Sequence, residues 1–222
     1  MTIPTLIDKQ DSFEIVRDQI AAILKLEVVS QMQLAVDAGK DPALWDMRVF
    51  TERSNPWEQF LNDQTDKSPL VNVWYDNSNF NQSKSNILER QASETIYNID
   101  CYGYGLSRDD VGPGHTPGDR EAAFEVQKAL RLVRNILMAA EYTYLGLQGL
   151  VWQRWPDSVT VFQPQIDANQ IQQIVGARIS FRVIFNEFSP QVASNPLELL
   201  TVDVLRTEDG EIVLETDYDY TA

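Results

Sequence analysis

The single histidine of the chain, His115, lies in a loop-like stretch whose composition could serve chemistry. Residues 109–124 read DDVGPGHTPGDREAAF and hold three glycines, two prolines and that histidine. A glycine-rich loop ahead of a helix can hold a phosphate group through its backbone N–H groups. A histidine titrates near neutral pH and can act as a general base. The stretch is therefore compatible with a phosphate site, a catalytic loop or an ordinary helix start.

The residues of this loop favour a helix start over a phosphate site. Pro113 and Pro117 have no N–H to offer an anion, and Asp119 stands where a phosphate loop has lysine. Thr116 is predicted to be the N-cap, with Pro117 in the first helical position. Asp119 and Glu121 then lie in the first turn, where the helix dipole favours acidic side chains.

The other reactive residues form no recognisable catalytic or metal-binding set. His115 is the only histidine and Cys101 the only cysteine, so a zinc site built from His and Cys is not possible. No GxSxG motif is present. Acidic pairs, at residues 109–110 and at Asp217 with Asp219, arise easily by chance among 33 acidic residues. We predict no catalytic residue, no cofactor-binding residue and no metal ligand.

The overall composition limits the classes of function. The chain has 222 residues, 43% of them hydrophobic, and a formal net charge of -15. This charge disfavours sequence-specific nucleic-acid binding, which relies on clustered Lys and Arg, but it permits a channel through which DNA passes without sticking. No signal peptide is evident, and no stretch approaches the roughly 18 apolar residues of a membrane span. We expect a soluble protein, made in the cytoplasm.

Apolar spacing predicts two long helices. Asp11 and Glu14 have the spacing of a capping box at the start of the first helix, which is predicted to run to about Ala38 and to be ended by Gly39. The second follows the opening loop and carries a single apolar stripe, and Gly146 and Gly149 are predicted to close it. The stripe comprises Val126, Leu130, Val133, Leu137, Ala140 and Tyr144.

Alternating patterns predict the strands and, with the helices, the fold class. Strands are predicted at residues 69–76, 93–105, 158–165 and 176–190, and a hairpin turning at Asp209-Gly210 is predicted over residues 199–220. This order predicts an α+β fold: a mainly antiparallel sheet with two long helices packed on one face, plus a C-terminal β-hairpin extension.

The same patterns predict two domains. The first covers residues 1–190 and contains loop insertions at about 40–68, 77–92 and 106–118. The second is the C-terminal hairpin extension, residues 191–222.

Two groups of apolar residues are candidates for a subunit or partner interface. The segment around Trp152 and Trp155 suits either a binding platform or core packing. The C-terminal hairpin is acidic yet alternates apolar residues, and an isolated hairpin is marginally stable in water, so it needs a second surface. The candidate interface residues are Trp152, Arg154, Trp155, Val202, Val204, Ile212 and Leu214.

Three stretches, in this order of elements, resemble the tail terminator proteins of tailed bacteriophages. They are ETIYNIDCYGYG (94–105), EAAFEVQKALRLVRNIL (121–137) and QIVGARISFRVIFNEFSP (173–190). In that family a strand of similar pattern precedes a long helix, and a late strand alternates aromatic and β-branched residues. The likeness covers about residues 10–190, so that the first domain is tail-terminator-like.

The resemblance implies a structural virion protein in the neck region of the tail. It implies a homo-oligomer, a hexameric ring, that caps the tail tube and joins it to the head-proximal neck. The implied partners are the tail tube protein and the neck or connector proteins, with DNA passing through the lumen and no membrane involved. Two alternatives remain: another neck protein, such as a head–tail connector or stopper, or a small enzyme or ligand-binding domain with its site near His115 and the Trp152–Trp155 segment.

Overall fold

The computed structural model describes residue 8 and residues 10–62, 67–80, 90–110, 114–164, 174–188, 199–205 and 212–219. These residues form a mixed fold of helices and strands. The helices are α1 (Ser12–Asp37), α2 (Glu58–Asn62) and α3 (Gly118–Leu137), with 3-10 turns at Pro42–Leu44 and Ala140–Tyr142. The strands are β1 (Arg48–Thr51), β2 (Leu70–Phe80), β3 (Arg90–Tyr104), β4 (Arg108–Asp110), β5 (Gly114–Thr116), β6 (Val151–Phe162), β7 (Ile174–Phe188), β8 (Leu199–Leu205) and β9 (Ile212–Asp219).

Five strands form one sheet in the order β1-β2-β3-β7-β6. The pairing of β1 with β2 is parallel, and the other three pairings are antiparallel. The register places Ile99 opposite both Val73 and Ile179, so these three apolar side chains lie on one face of the sheet. The predicted mixed fold with a mainly antiparallel sheet is confirmed.

The main core lies between this face and the two long helices. α1 packs over β1 and β2, and α3 packs over β3 and β7. Ile20 and Leu24 of α1 and Val133 of α3 are fully buried in it, together with Tyr97 and Phe181 of the sheet. The helices therefore bury their apolar sides against the alternating apolar residues of the strands.

A second, smaller core lies on the opposite face of the sheet. Phe60 of α2 packs there with residues of β2, β3 and β7, and its ring stacks on that of Tyr104 at 5.4 Å between centroids. Both α2 and β1 come from residues 40–68, which were predicted to be an irregular insertion. That prediction was wrong: the segment adds the parallel edge strand and the helix that covers this small core.

The ends of α1 agree with the sequence prediction. The Glu14 carboxylate accepts a hydrogen bond of 2.9 Å from the Asp11 N–H, as a capping box requires. At the other end, Gly39 has a positive φ of 66°. Its N–H donates to the Val36 carbonyl, and the Lys40 N–H donates to the Ala35 carbonyl, which is the Schellman pattern.

The ends of α3 differ from the prediction. The helix begins at Gly118 with Pro117 as its N-cap, so Thr116 is not the cap residue. The hydroxyl of Ser107, from the preceding segment, instead accepts a hydrogen bond from the Gly118 N–H at 3.1 Å. The helix ends at Leu137, well before the glycines predicted to close it, Gly146 and Gly149. The start was not predicted because a hydroxyl from the preceding segment, and not a residue next to the helix, accepts the first N–H.

Several strands are longer than predicted. β2 runs through Phe80, so it enters the predicted 77–92 loop, and β3 begins at Arg90. β6 begins at Val151, seven residues before the predicted start. The predicted 106–118 loop contains the short pair β4 and β5. Polar residues interrupt the apolar alternation in these strands, so the sequence pattern does not predict their full length. Pairing with a neighbouring strand extends them.

Of the described helices, α1 is long and apolar enough to cross a membrane by length and composition, with a mean hydropathy of 1.2 over its best window. The sequence prediction that no stretch approaches a membrane span was therefore too strong. A core helix passes the same test, and residues along one side of α1, such as Val16, Ile20 and Leu24, are fully buried in this fold.

The chain divides into two compact units, residues 1–188 and residues 189–222. The second unit contains β8 and β9, which pair antiparallel with Val204 opposite Leu214 and Leu205 opposite Ile212. The turn predicted at Asp209-Gly210 lies outside the described residues.

Candidate interaction surface

Strand β6 forms one edge of the main sheet. Among the described strands it pairs only with β7. Its first half carries the features by which natural edge strands avoid pairing with other chains: register shifts at Trp152 and Asp157, and a proline at position 156. We conclude that the first half of this edge is protected against unwanted strand pairing.

The second half of β6, Ser158–Phe162, has none of these protective features. Its sequence, SVTVF, contains no charge and no proline, and its pairing with β7 has no register shift. Val159 and Val161 are 52% and 71% exposed. An uncharged, β-branched edge of this kind is disposed to contact another protein.

The sheet register explains why Val159 and Val161 are uncovered. Val159 lies opposite Ile179 and Val161 opposite Ala177, so both valines point to the face that carries the helices. A helix is about 10 Å wide and strands are about 4.8 Å apart, so one helix covers about two strands. In the described part of the chain, α1 and α3 together cover four strands. The helix-side face of β6 at Val159 and Val161 is therefore an apolar shelf, which we call the β6 shelf.

The predicted interface residues of this segment do not share one face. Arg154 lies opposite Val183 and Trp155 opposite Arg182, so consecutive side chains point to opposite sides of the sheet. Trp152 sits at a register shift and is 54% exposed. The structure thus separates the three side chains that the sequence suggested as a single platform.

Arg154 is bound within its own subunit. Its guanidinium donates to the carbonyl oxygens of Ala139, at 2.8 Å, and of Tyr142. Burial lowers the pKa of this guanidinium. These bonds hold the 3-10 turn after α3 against β6, so Arg154 fixes the chain that connects the helix to the edge strand.

Trp155 belongs to a charged cluster on the opposite face. The Arg182 guanidinium lies 5.9 Å from the centre of the Trp155 ring, donates to Asp157 at 2.9 Å and also contacts Glu94. Trp155 is half-buried by this arrangement. The cluster joins β3, β7 and β6 through side chains, and it leaves Trp155 partly accessible to a partner.

A polar recess of about 320 Å³ opens on the same face, which is the face that carries α2 and the smaller core. At its base Asp100, which is 3% exposed, accepts two hydrogen bonds from Arg178, at 2.7 and 3.0 Å. The Trp74 indole N–H donates to the same carboxylate at 2.9 Å, and Arg178 lies 4.7 Å from the Trp74 ring centre. The Tyr102 hydroxyl is 3.4 Å from Asp100. The polar groups at the base thus bind one another.

The other residues with reactive side chains have no catalytic setting in the described part of the chain. Cys101 is fully buried, and burial raises the pKa of its thiol far above the usual value, so the nucleophilic thiolate is disfavoured. No three His, Cys, Asp or Glu side chains among the described residues are placed to share a metal ion. His115 lies on β5, and its side chain is outside what the structure describes.

Sequence reasoning placed Val159 and Val161 in a strand but did not identify them as a surface. The available signal was the contrast between the proline-containing first half of the segment and the uncharged SVTVF that follows. The predicted interface residues of the C-terminal unit lie on β8 and β9, and the structure does not describe the side chains of these strands. These residues are Val202, Val204, Ile212 and Leu214.

No known protein-family model matches this chain, and no curated protein matches it.

Proposed function

We propose that the protein is a structural assembly protein of a tailed bacteriophage, a tail terminator. Copies of the chain form a ring, six in the complete assembly, that caps the tail tube and presents a surface to the neck. The observation that carries the proposal is the unprotected second half of β6. In a monomer, an uncharged edge with two exposed valines leaves apolar surface in water. In an assembly, a neighbouring subunit can bury that surface.

The polar recess supports an assembly role over a catalytic one. Asp100 is buried and accepts hydrogen bonds from both Arg178 and Trp74. The carboxylate oxygens are occupied by these donors, so Asp100 serves as a structural acceptor within the sheet. The same bonds tie β2, β3 and β7 together, which gives a ring subunit a rigid sheet.

The net charge of -15 also suits a ring through which DNA moves. Like charges repel, and few Lys or Arg side chains are present to capture phosphates. A negatively charged lumen therefore allows the genome to pass without binding. In the proposed assembly the partners are the tail tube protein on one side and a neck protein on the other.

The proposal is tested by adding the purified protein to a tail tube protein that is polymerising, and measuring tube length by electron microscopy. A terminator added early gives short tubes, each with extra density at one end. The variant Val161→Glu is expected to lose this effect because a charge on the β6 shelf opposes subunit contact. Phe124→Glu, a change at a residue of α3 that is 57% exposed, serves as the matched control and should retain the effect.

Two results would contradict the proposal. Tubes of unchanged length with bare ends would show that the protein does not terminate polymerisation. Binding to portal or connector rings, with no binding to tubes, would instead assign the protein to another position in the neck.

A further inference from the structure

The exposed apolar residues of the first unit concentrate on two elements. Of the twelve large apolar side chains that are exposed among the described residues, four lie on α1 and three on β6. The four on α1 are Leu26, Val29, Leu34 and Val36, between 54% and 68% exposed. Scattered single exposures need no explanation, but a set on one helix marks an interaction surface.

Three of these four residues, Leu26, Val29 and Val36, lie in a narrow seam along α1, and Leu34 lies to one side of it. Ala22, Leu26, Val29, Gln33 and Val36 follow one another at steps of four, three, four and three, and all five are exposed. This spacing places them along one side of the helix, as in the seam by which one helix packs on another element. We call these five residues the α1 seam.

α1 is thus apolar on the side away from the core as well as on the side that faces it. α3 differs, because its outer side carries charged residues such as Arg131 and Arg134, which are exposed. A contiguous set of exposed apolar residues on a helix is typical of a contact surface. α1 therefore has a second contact surface still to be covered.

The charges near the seam argue for a protein partner over a lipid surface. Lys25 is the only exposed charged residue between Ala22 and Val36. A helix that lies on a membrane carries several Lys or Arg side chains beside its apolar face. The strong overall negative charge adds repulsion from anionic lipids.

The β6 shelf offers a matching site on the same chain. It is apolar, it faces the helix side of the sheet, and it is one strand wide, so that a helix packed on it would lie beside α3 and extend past the edge of the sheet. Most of α1 packs over β1 and β2, at the edge of the sheet opposite β6. Two different complementary patches on one chain produce a head-to-tail contact, and such a contact forms a ring when the rotation between successive copies closes, and an open filament when it does not.

We propose that the α1 seam of one copy packs on the β6 shelf, Val159 and Val161, of a second copy. The inference rests on the proposed ring and specifies how its subunits meet. Each copy gives its seam to one neighbour and its shelf to the other. A patch of a few hundred Å² is smaller than the roughly 800 Å² that each partner of a stable pair buries. Each contact is therefore weak alone. Closure of the ring reinforces it, because every copy is then held by two contacts.

The test uses two double variants of the full chain, each with one patch blocked. The seam variant is Leu26→Glu with Val29→Glu, and the shelf variant is Val159→Glu with Val161→Glu. Sedimentation over a range of concentrations gives the mass of each protein, and Phe124→Glu is the matched surface control. Circular dichroism checks that the variants are folded.

The wild type and the control should form assemblies larger than the 25.3 kDa monomer. Each double variant alone should associate at least about tenfold more weakly. In an equal mixture, the intact seam of the shelf variant can pack on the intact shelf of the seam variant. Both remaining patches of that pair are blocked, so the mixture should yield a dimer and nothing larger.

The proposal is overturned if one double variant still dimerises alone, since a patch would then pair with itself. It is also overturned if the wild type stays monomeric at every concentration, or if both variants assemble like the wild type. The effect of each protein on tail-tube length distinguishes failure of the proposed contact from failure of the proposed function. Assemblies that fail to arrest tubes contradict only the function, and arrest that persists in the seam variant, whose β6 is intact, contradicts only the proposed contact.

Discussion

The buried carboxylate of Asp100 joins three strands on the face of the sheet opposite α1 and α3. It receives hydrogen bonds from Arg178 on β7 and Trp74 on β2, so one side chain links three adjacent strands. Asp100 lies on the face of β3 opposite to that of Ile99, and the local sequence offers no partner for it. The partners could not be predicted because they lie 26 and 78 residues away along the chain.

The first prediction concerns Asp100→Asn. This change should lower the free energy of unfolding by about 3 kcal/mol, because Arg178 loses a charged partner that is buried. Chemical denaturation measures the difference. Asp157→Asn, which alters an exposed ion pair with Arg182, is the control and should cost at most about 1 kcal/mol. Equal losses from the two variants would contradict the role given to Asp100.

The second prediction concerns Tyr142. Its hydroxyl donates to Glu27 at 2.5 Å, and this bond raises the tyrosine pKa to about 12. An unfolded tyrosine has a pKa of about 10, so the folded form binds the proton more tightly. The resulting stabilisation is complete below pH 10 and is lost as the pH rises toward 12.

Titration of tyrosinate absorbance measures this pKa, and the difference between wild type and Tyr142→Phe isolates the residue. Glu27→Gln should move the pKa of Tyr142 toward 10, because the charged acceptor is removed. An unchanged pKa in that variant would show that Glu27 is not the cause.

At the scale of elements, α3 and β3 approach unusually closely. A Cβ atom added at Gly103 would lie 2.3 Å from the backbone carbonyl oxygen of Ala122. The strand therefore requires glycine here so that the helix can pack directly on it. The third prediction is that Gly103→Ala lowers the free energy of unfolding by about 2 kcal/mol or more, because backbone must move.

Thermal unfolding followed by circular dichroism measures the effect of Gly103→Ala. Gly39→Ala, where an added Cβ meets no atom and only the positive φ is strained, is the control and should cost about 1 kcal/mol. If Gly103→Ala proves as mild as the control, the close helix–strand contact is not as described.

Elements with strong apolar periodicity were predictable from sequence, and those defined by pairing were not. The capping box at Asp11, the stripe of α3 through Val133 and the alternation in β7 all follow from local patterns. β1 was missed because four residues are too few to establish a period. The polar half of β2 was missed because pairing with β3, and not an apolar pattern, keeps these residues in the strand. The β6 shelf likewise depends on which strands the helices cover, which no local pattern contains.

At the scale of the whole molecule, residues 1–188 form one compact unit with its own cores. The fourth prediction is that a chain ending at residue 188 folds with a single cooperative transition. Its thermal midpoint should lie within a few degrees of that of the same unit in the full chain. Loss of cooperative unfolding in the truncated chain would mean that residues 189–222 belong to the core of the first unit.

The truncation also tests the role suggested for the C-terminal hairpin. If residues 189–222 latch subunits to a neighbour, the truncated chain should fold but assemble more weakly than the full chain, as measured by sedimentation. Assembly of equal strength in both chains would exclude a latch.

The central claim is that copies of this chain form a ring at the end of a tail tube. Cryo-electron microscopy of tail particles, assembled with and without the protein, tests it most directly. We predict a ring of six copies at the head-proximal end of each tube, with the α1 seam of each copy against the β6 shelf of the next. Without the protein, the tubes should reach uncontrolled lengths. Tail ends that look the same with and without the protein would contradict the claim.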